Sequence, residues 1–192
     1  CIPNCIAMAP KDEDELQDMM YTATREKMPT FIRYPRGSAE GVPVKEQPVQ
    51  IEIGKAEVLE NFSNNGGMKV AFFALGNMNP VAKTVAEALT EDGFDCARIN
   101  ARFAAPIDSG VTEFYAQSAD LIVTLEDHVL TGGYGSAVLE FIAEGELPAK
   151  VLRIAWPDKF IEHGSTVNAL RERYGLTEPQ IADRVRERLT EA

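Results

Sequence analysis

Apolar and polar residues follow one another in blocks that predict a regular succession of strands and helices. Residues 68–75 form an apolar run interrupted only by Lys69, which is typical of a strand covered on both faces. Residues 80–91 place Val81, Val85 and Leu89 on one side at helical spacing. Similar patterns predict further strands at residues 5–9, 30–32, 49–59, 94–99, 121–125 and 150–155, and further helices at residues 13–27, 110–117, 136–142, 166–174 and 179–189.

Strands that alternate with helices favour one architecture. Each strand–helix–strand step brings the next strand back parallel to the last, and the helices then cover the sheet. The sequence therefore predicts an α/β fold with a mainly parallel sheet that carries helices on both faces.

The first 38 residues are predicted to form a separate β-α-β unit. Asp12 is expected to cap the first helix, with Glu15 three residues later completing a capping box. Because this unit is too small to bury both faces of its own sheet, we interpret residues 1–38 as the end of a larger domain. Glycine, proline and charged residues at 39–48 predict a linker, and residues 49–192 a second domain.

Composition and charge narrow the class of function. The 192 residues have a formal net charge of −11, and without a basic stripe this argues against nucleic-acid binding. No stretch has the length and apolarity of a membrane-spanning helix, so we expect no membrane partner. Cys1, Cys5 and Cys96 have neither zinc-site nor CxxC spacing. They predict reduced thiols and a cytoplasmic location.

The most informative segment is the turn at residues 33–37, Arg-Tyr-Pro-Arg-Gly, directly after a predicted strand. Pro35 forces Tyr34 out of the helical region, and Gly37 permits a reversal of the backbone. Open α/β sheets bind ligands at the carboxyl ends of their strands. A guanidinium there suits a phosphate or a carboxylate. Arg33 and Arg36 are therefore candidate anion ligands, and a surface turn with solvated arginines is the alternative.

Three other segments at strand ends carry candidate chemistry, each with a structural alternative. Asp108 is expected to cap the following helix. The glycine-rich turn at 132–135 could present N–H groups to an anion, or could serve close packing of helix on sheet. His128 and His163 could each act as a general base, or be partly buried hydrogen-bonding groups. The sequence shows no metal-ligand cluster, nucleophile elbow or serine triad.

Taken in order, seven segments give a more specific indication. Together they resemble the C-terminal third of the 1-deoxy-D-xylulose-5-phosphate synthases, thiamine-diphosphate enzymes of the transketolase superfamily. The combination of Arg-Tyr-Pro-Arg-Gly at 33–37 with Phe-Ile-Glu-His-Gly-Ser at 160–165 points to the synthases within that superfamily. The matching segments are residues 2–4, 8–13, 33–37, 100–108, 125–127, 132–140 and 157–165.

The resemblance implies a reaction and a division of roles. Such enzymes join pyruvate to glyceraldehyde 3-phosphate with release of carbon dioxide, use thiamine diphosphate and Mg²⁺, and form homodimers of three-domain subunits. Residues 1–38 would end the middle, pyrimidine-binding domain, and 49–192 would be the third domain. The acceptor-phosphate contact maps onto Arg36, with Arg33 as the alternative.

The same resemblance shows what this chain lacks. It contains no Gly-Asp-Gly followed by Asn at the spacing of the diphosphate–magnesium motif, and no segment bearing the family's activating glutamate or its active-site histidines. We therefore expect no catalytic residue, cofactor contact or metal ligand here, and we expect the chain alone to be inactive. His128 and Trp156 depart modestly from the family pattern.

Two other functions stay open on the sequence. The second domain could belong to another transketolase or to a 2-oxoacid dehydrogenase β subunit, and act as a dimerisation or docking module. A Rossmann enzyme that uses residues 132–135 is disfavoured, because the turn comes late in the fold and lacks the fingerprint spacing.

Overall fold

The computed structural model describes residues 3–163 and 165–190 of the chain. A short 3₁₀ turn, Gly76–Met78, precedes the helix that begins at Asn79. The described residues form these strands and helices in chain order: β1 (Ile6–Met8), α1 (Glu13–Ala23), β2 (Thr30–Ile32), β3 (Glu57–Glu60), β4 (Lys69–Ala74), α2 (Asn79–Glu91), β5 (Asp95–Asn100), β6 (Phe103–Ala105), α3 (Ser109–Ser118), β7 (Leu121–Val129), α4 (Tyr134–Glu144), β8 (Val151–Trp156), α5 (Val167–Arg173) and α6 (Glu178–Thr190).

The larger sheet has five strands in the order β3-β5-β4-β7-β8. Strands β5, β4, β7 and β8 are parallel, and β3 alone runs antiparallel, at one edge. The central strand β4 pairs with β5 on one side and β7 on the other, so its backbone is hydrogen-bonded along both edges. The prediction of a mainly parallel sheet is confirmed.

Helices cover both faces of this sheet, as the apolar run in β4 predicted. Val70 and Phe72 point to one face, where they pack with α2 and α6. Ala71 and Phe73 point to the other, where they pack with residues of α3 and α4 such as Tyr115 and Val138. Successive residues of a strand point to opposite faces of the sheet. A strand with apolar residues on both faces is therefore fully buried only when helices cover both faces.

A second, smaller sheet has the strand order β2-β1-β6. Strands β1 and β2 are parallel and flank α1, which confirms the predicted β-α-β unit. Strand β6, which the sequence analysis did not predict, lies about a hundred residues after β1 in the sequence and pairs antiparallel with it. Ile6, Met8, Met19 and Ile51 form the small core under this sheet, with Phe103 of β6.

The segment between the two sheets contains no helix or strand from residue 33 to 56, and it follows α1 closely. Asp14 accepts a hydrogen bond from the Lys45 N–H at 2.8 Å, and Asp18 accepts one from the Val49 N–H at 2.8 Å. Thr22 accepts one from the Ile51 N–H, also at 2.8 Å. Polar side chains of α1 thus hold the predicted linker, and the first residues of the predicted second domain, against the helix.

Two predicted elements are shorter than expected. The predicted strand at 49–59 is a strand only from Glu57, because Gly54 adopts φ +73° and the Lys55 N–H closes a turn on Glu52 O. Helix α1 ends at Ala23 rather than at residue 27. Thr24 caps its C-terminus, and a turn then leads to Pro29. Among the described residues, no helix is both long and apolar enough to cross a membrane.

Candidate functional site

The carboxyl ends of strands from both sheets meet at one place. Strand β2 ends in the 33–37 turn, and the Arg33 N–H donates to Met8 O of β1 at 2.8 Å. The end of β4 is bonded to β7 through the Leu75 N–H and Leu125 O, at 2.9 Å. The Arg33 side chain reaches Asp127 near the end of β7. The candidate site therefore lies at the strand ends, where open α/β sheets bind their ligands.

Arg33 bridges the two sheets. Its Nη2 donates to the main-chain oxygen of Asp127 and lies 3.8 Å from the carboxylate Oδ2 of the same residue. The side chain is 55% exposed. No described residue accepts a hydrogen bond from its Nε or Nη1. Arg33, a predicted anion ligand, is thus held through Nη2, and its Nε and Nη1 donors stay available for a ligand.

Asp127 is fixed by two further donors. Trp156 Nε1 donates to its Oδ1 at 2.6 Å, and Asn77 Nδ2 donates to its Oδ2 at 2.9 Å. Burial would raise the pKa of this carboxyl, but these hydrogen bonds, with the charges of Arg33 and Arg171, hold it below its ordinary value. Asp127 is therefore ionised at neutral pH.

Arg36 lies on the outer part of the same turn. It is exposed and makes no hydrogen bond or ion pair within the described residues. A cleft of about 140 Å³ lies beside the turn, lined among others by Tyr34, Gly37, Lys11 and Asn77. All donors of the Arg36 guanidinium are therefore available to an anionic ligand.

A bulge at the end of β7 aims two acidic side chains in different directions. The pairing with β8 shifts between Leu125 and Val129, which leaves extra residues on β7. Asp127 contacts the arginine turn, whereas Glu126 is buried against the start of α4. The strand predicted at residues 121–125 extends to Val129 through this bulge.

The glycine-rich turn at 132–135 binds an anion that belongs to the chain itself. The Glu126 carboxylate accepts hydrogen bonds from the N–H groups of Tyr134, at 2.7 Å, and Gly135, at 2.8 Å. A Cβ at Gly133 would lie 2.1 Å from Glu126 Oε2, and one at Gly135 would lie 2.5 Å from Thr124 Oγ1. These glycines permit close packing of helix on sheet, and the helix N-terminus is already satisfied by Glu126.

A buried polar cluster joins the small sheet to the large one. Arg102 Nε donates to Glu15 Oε1 at 2.7 Å, and Asn100 Nδ2 donates to the same oxygen at 2.8 Å. Arg102 Nη2 also lies 3.1 Å from Glu57 Oε2. The expected capping box is altered: Asp12 caps the Glu15 N–H as predicted, but Glu15 reaches back to the Lys11 N–H.

The remaining candidates have the following places. Asp108 caps α3 by accepting from the Val111 N–H at 3.1 Å, as predicted. Both histidines are exposed, so the expectation of partly buried groups is wrong. His128 Nδ1 contacts only the neighbouring Val129 O, at 3.3 Å, among the described residues. Gly164 and Ile2, which belong to two of the matching segments, lie outside the described residues.

A larger cleft of about 500 Å³, which sequence reasoning missed, opens between the small sheet and α4. Ala7 and Phe31 line its sheet side, Tyr134 and Glu140 its helix side, and Arg33 its edge. No sequence signal could have indicated it, because the walls come from elements about a hundred residues apart.

In residues 3–163 and 165–190, no three His, Cys, Asp or Glu side chains are grouped so that they could hold a metal ion.

Comparison with known families decides where this fold belongs. The family described as "Transketolase, C-terminal domain" matches residues 55–181. The chain belongs to the transketolase C-terminal domain family. This transketolase C-terminal domain extends from just before β3 into α6, so it contains the large sheet and both helical layers.

Two curated relatives of this transketolase C-terminal domain protein have the same name. The 1-deoxy-D-xylulose-5-phosphate synthase of Methylacidiphilum infernorum (isolate V4) is 52% identical over 176 residues, and that of Acidobacterium capsulatum is 47% identical over 176 residues. Each match covers 92% of this chain and 27% of the relative. The chain thus spans about a quarter of the length of these relatives, and its resemblance to the C-terminal part of the synthases is confirmed.

Solved structures agree with the fold. A structure described as "Split gene transketolase, inactive beta4 tetramer" matches with a TM-score of 0.82 and 31% identity, over 98% of this chain and 59% of that one. A transketolase from Campylobacter jejuni subsp. jejuni NCTC 11168 matches with a TM-score of 0.67 over 96% of this chain and 26% of that one. At 15% identity the second match shows the fold alone. The predicted α/β class is confirmed.

Proposed function

We propose that the chain is the C-terminal part of a thiamine-diphosphate-dependent synthase that joins pyruvate to glyceraldehyde 3-phosphate. The product is 1-deoxy-D-xylulose 5-phosphate, and carbon dioxide is released. The observation that carries this proposal is the open Arg36 on a turn where the carboxyl ends of both sheets meet. The names of the relatives, at up to 52% identity, support the synthase over other transketolases.

In this proposal the chain divides as the sequence suggested. Residues 1–38 end the pyrimidine-binding domain, 39–48 connect, and 49–192 form the third domain. Strand β6 of the third domain completes the small sheet, and the cluster around Glu15 and Arg102 holds the two parts together. The turn with both arginines therefore has a fixed position relative to the large sheet.

The described residues do not fit a magnesium site, because no three potential ligands are grouped there. We propose that thiamine diphosphate and Mg²⁺ bind to parts of the full-length enzyme that this chain does not include. When bound, the cofactor supplies an electron sink for the decarboxylation of pyruvate. No residue of this chain is given a proton-transfer role.

The role proposed for this chain is recognition of the acceptor. The phosphate of glyceraldehyde 3-phosphate would accept two parallel hydrogen bonds from the Arg36 guanidinium, with Arg33 as a second donor. A phosphate held at one end orients the aldehyde at the other end towards the reacting carbon. Binding energy from the non-reacting end of a substrate is used in this way to position the reacting centre.

Assembly and location follow the same proposal. The full-length protein would be a cytoplasmic homodimer, and the chain alone would be inactive. The split-gene transketolase supports the second point, since its β4 tetramer is described as inactive. Stoichiometric binding of thiamine diphosphate to the isolated chain, measured by calorimetry, would contradict this part of the proposal.

The function is tested on the full-length enzyme. Carbon dioxide release from pyruvate is followed in the presence of thiamine diphosphate and Mg²⁺, with and without glyceraldehyde 3-phosphate. We expect product formation that depends on the phosphorylated aldehyde. If no carbon dioxide is released under either condition, a ketose-transferring enzyme or a docking module becomes the better account.

A further inference from the structure

The contact between Arg33 and Asp127 uses only one of the three guanidinium nitrogens. Only Nη2 of Arg33 is engaged, by the main-chain oxygen and the carboxylate of Asp127. A guanidinium carries five N–H donors, and those on Nε and Nη1 have no partner among the described residues. A pair that served only stability would be expected to use the parallel, two-nitrogen geometry that carboxylates favour.

The carboxylate that makes this contact is itself held in place. Trp156 Nε1 and Asn77 Nδ2 each donate to one oxygen of Asp127, at 2.6 Å and 2.9 Å. Trp156 is in turn packed edge-on against Tyr174, with ring centroids 5.9 Å apart. Asp127 lies in the bulge of β7, where the backbone has left the ladder. The Asp127 carboxylate is thus held by two donors beside the arginine turn.

We propose that Asp127 is a positioning residue for Arg33: it holds one terminal nitrogen of the guanidinium and leaves Nε and Nη1 free to bind the acceptor phosphate, while Trp156 and Asn77 fix the carboxylate. This inference rests on the proposed function. It separates the two arginines, since Arg36 is free throughout its guanidinium and Arg33 is pre-oriented. An ordered arginine loses less side-chain freedom when the ligand binds, and about 0.5–1.5 kcal/mol is at stake for such a side chain.

The sign of one substitution distinguishes this role from simple electrostatics. Removing a negative charge next to an anion site strengthens anion binding when the charge only repels the ligand. Loss of the Asp127 carboxylate instead weakens binding, because only the main-chain oxygen of Asp127 then holds Arg33 Nη2 and the guanidinium is less well oriented. In full-length enzyme carrying Asp127→Asn, we expect the KM for glyceraldehyde 3-phosphate to rise about 2- to 12-fold. The KM for pyruvate and kcat should stay within a factor of two of wild type.

A matched control removes the same charge elsewhere. Asp92 at the end of α2 pairs with Arg186 at 2.6 Å, on the surface and away from the turn. Asp92→Asn should leave both KM values unchanged. Trp156→Phe keeps the ring against Tyr174 but loses the indole N–H, so it should give a smaller rise in the same direction as Asp127→Asn. If Asp127→Asn does not fold, Trp156→Phe is the remaining kinetic test, and an unchanged KM for glyceraldehyde 3-phosphate in that variant overturns the proposal.

A second readout does not depend on the proposed function. The chain has one tryptophan, so the indole N–H gives one ¹H–¹⁵N resonance in the labelled 192-residue chain. Arg33→Ala should shift it through Asp127, and Asp92→Asn should not. An unchanged resonance in Arg33→Ala overturns the proposal, as does a lower KM in Asp127→Asn. If the full-length enzyme forms no product while Arg33→Ala shifts the resonance, the proposed function fails and the Arg33–Asp127 contact stands.

Discussion

Replacing Gly133 by alanine would place a methyl group where the Glu126 carboxylate lies. A Cβ built at Gly133 is 2.1 Å from Glu126 Oε2 and 2.6 Å from the carboxyl carbon. The backbone there has φ −84°, which any residue adopts, so the expected effect is steric alone. The methyl group can be accommodated only if Glu126 leaves the N-terminus of α4.

The cost follows from what Glu126 does. Glu126 is 2% exposed, and its carboxylate accepts two hydrogen bonds, from the Tyr134 and Gly135 N–H groups. Each hydrogen bond to a charged group contributes about 1.5–3 kcal/mol, and the reduced freedom of alanine in the unfolded chain returns about 0.4–1 kcal/mol. We expect Gly133→Ala to lower the free energy of unfolding by about 2–6 kcal/mol.

Urea unfolding followed by far-ultraviolet circular dichroism measures this change. Gly110→Ala is the matched control, because its Cβ would meet nothing closer than Asp108 Oδ1 at 3.6 Å and it lies in α3. It should be neutral or stabilising. The double variant Gly133→Ala with Glu126→Ala should cost little more than Glu126→Ala alone. The steric reasoning is refuted if Gly133→Ala loses less than about 1 kcal/mol, or if the two effects simply add.

Two other predictions concern buried groups. Glu15→Gln should destabilise the fold by about 1.5–3 kcal/mol, because it removes the buried charge from the hydrogen bond to Arg102 and leaves Glu57 as the charged partner of Arg102. Glu87→Gln on the surface of α2 should cost less than about 0.5 kcal/mol in the same urea experiment, and equal losses would contradict the buried cluster. Burial raises the pKa of the Cys96 thiol to about 11 from 9.0, so its contribution to stability is complete below pH 9 and lost as pH rises through about 11. Between pH 9 and about 11, the free energy of unfolding of Cys96→Ala should therefore fall less steeply with pH than that of the wild type. Identical slopes for the two proteins would contradict a raised pKa of this thiol.

The fold was predictable where the information is local. The apolar run at 68–75 became β4, the periodicity at 80–91 became α2, and Asp108 caps α3. In each case residues a few positions apart determine the element, through burial on both faces, helical spacing or a cap. The strand predicted at 49–59 failed for an equally local reason, since Gly54 adopts a positive φ that interrupts it.

The site was predictable only in part. The Arg-Tyr-Pro-Arg-Gly turn could be placed at a strand end, but its contact with Asp127 joins residues 94 apart in sequence. The cluster of Glu15 and Arg102 joins residues 87 apart. Strand β6 has three residues and is stabilised by pairing with β1, about a hundred residues earlier in the sequence. Such contacts depend on how the two sheets pack, which no local pattern specifies.

The most direct test of the account is the effect of Arg36→Ala on the two Michaelis constants of the full-length enzyme. Loss of a charge-assisted contact of about 1.5–3 kcal/mol predicts a KM for glyceraldehyde 3-phosphate raised about 10- to 150-fold, with the KM for pyruvate unchanged. Arg188→Ala, at an exposed position in the last turn of α6, is the control and should change neither constant. An unchanged KM for the phosphorylated aldehyde in Arg36→Ala would contradict the central claim that this turn binds the acceptor phosphate.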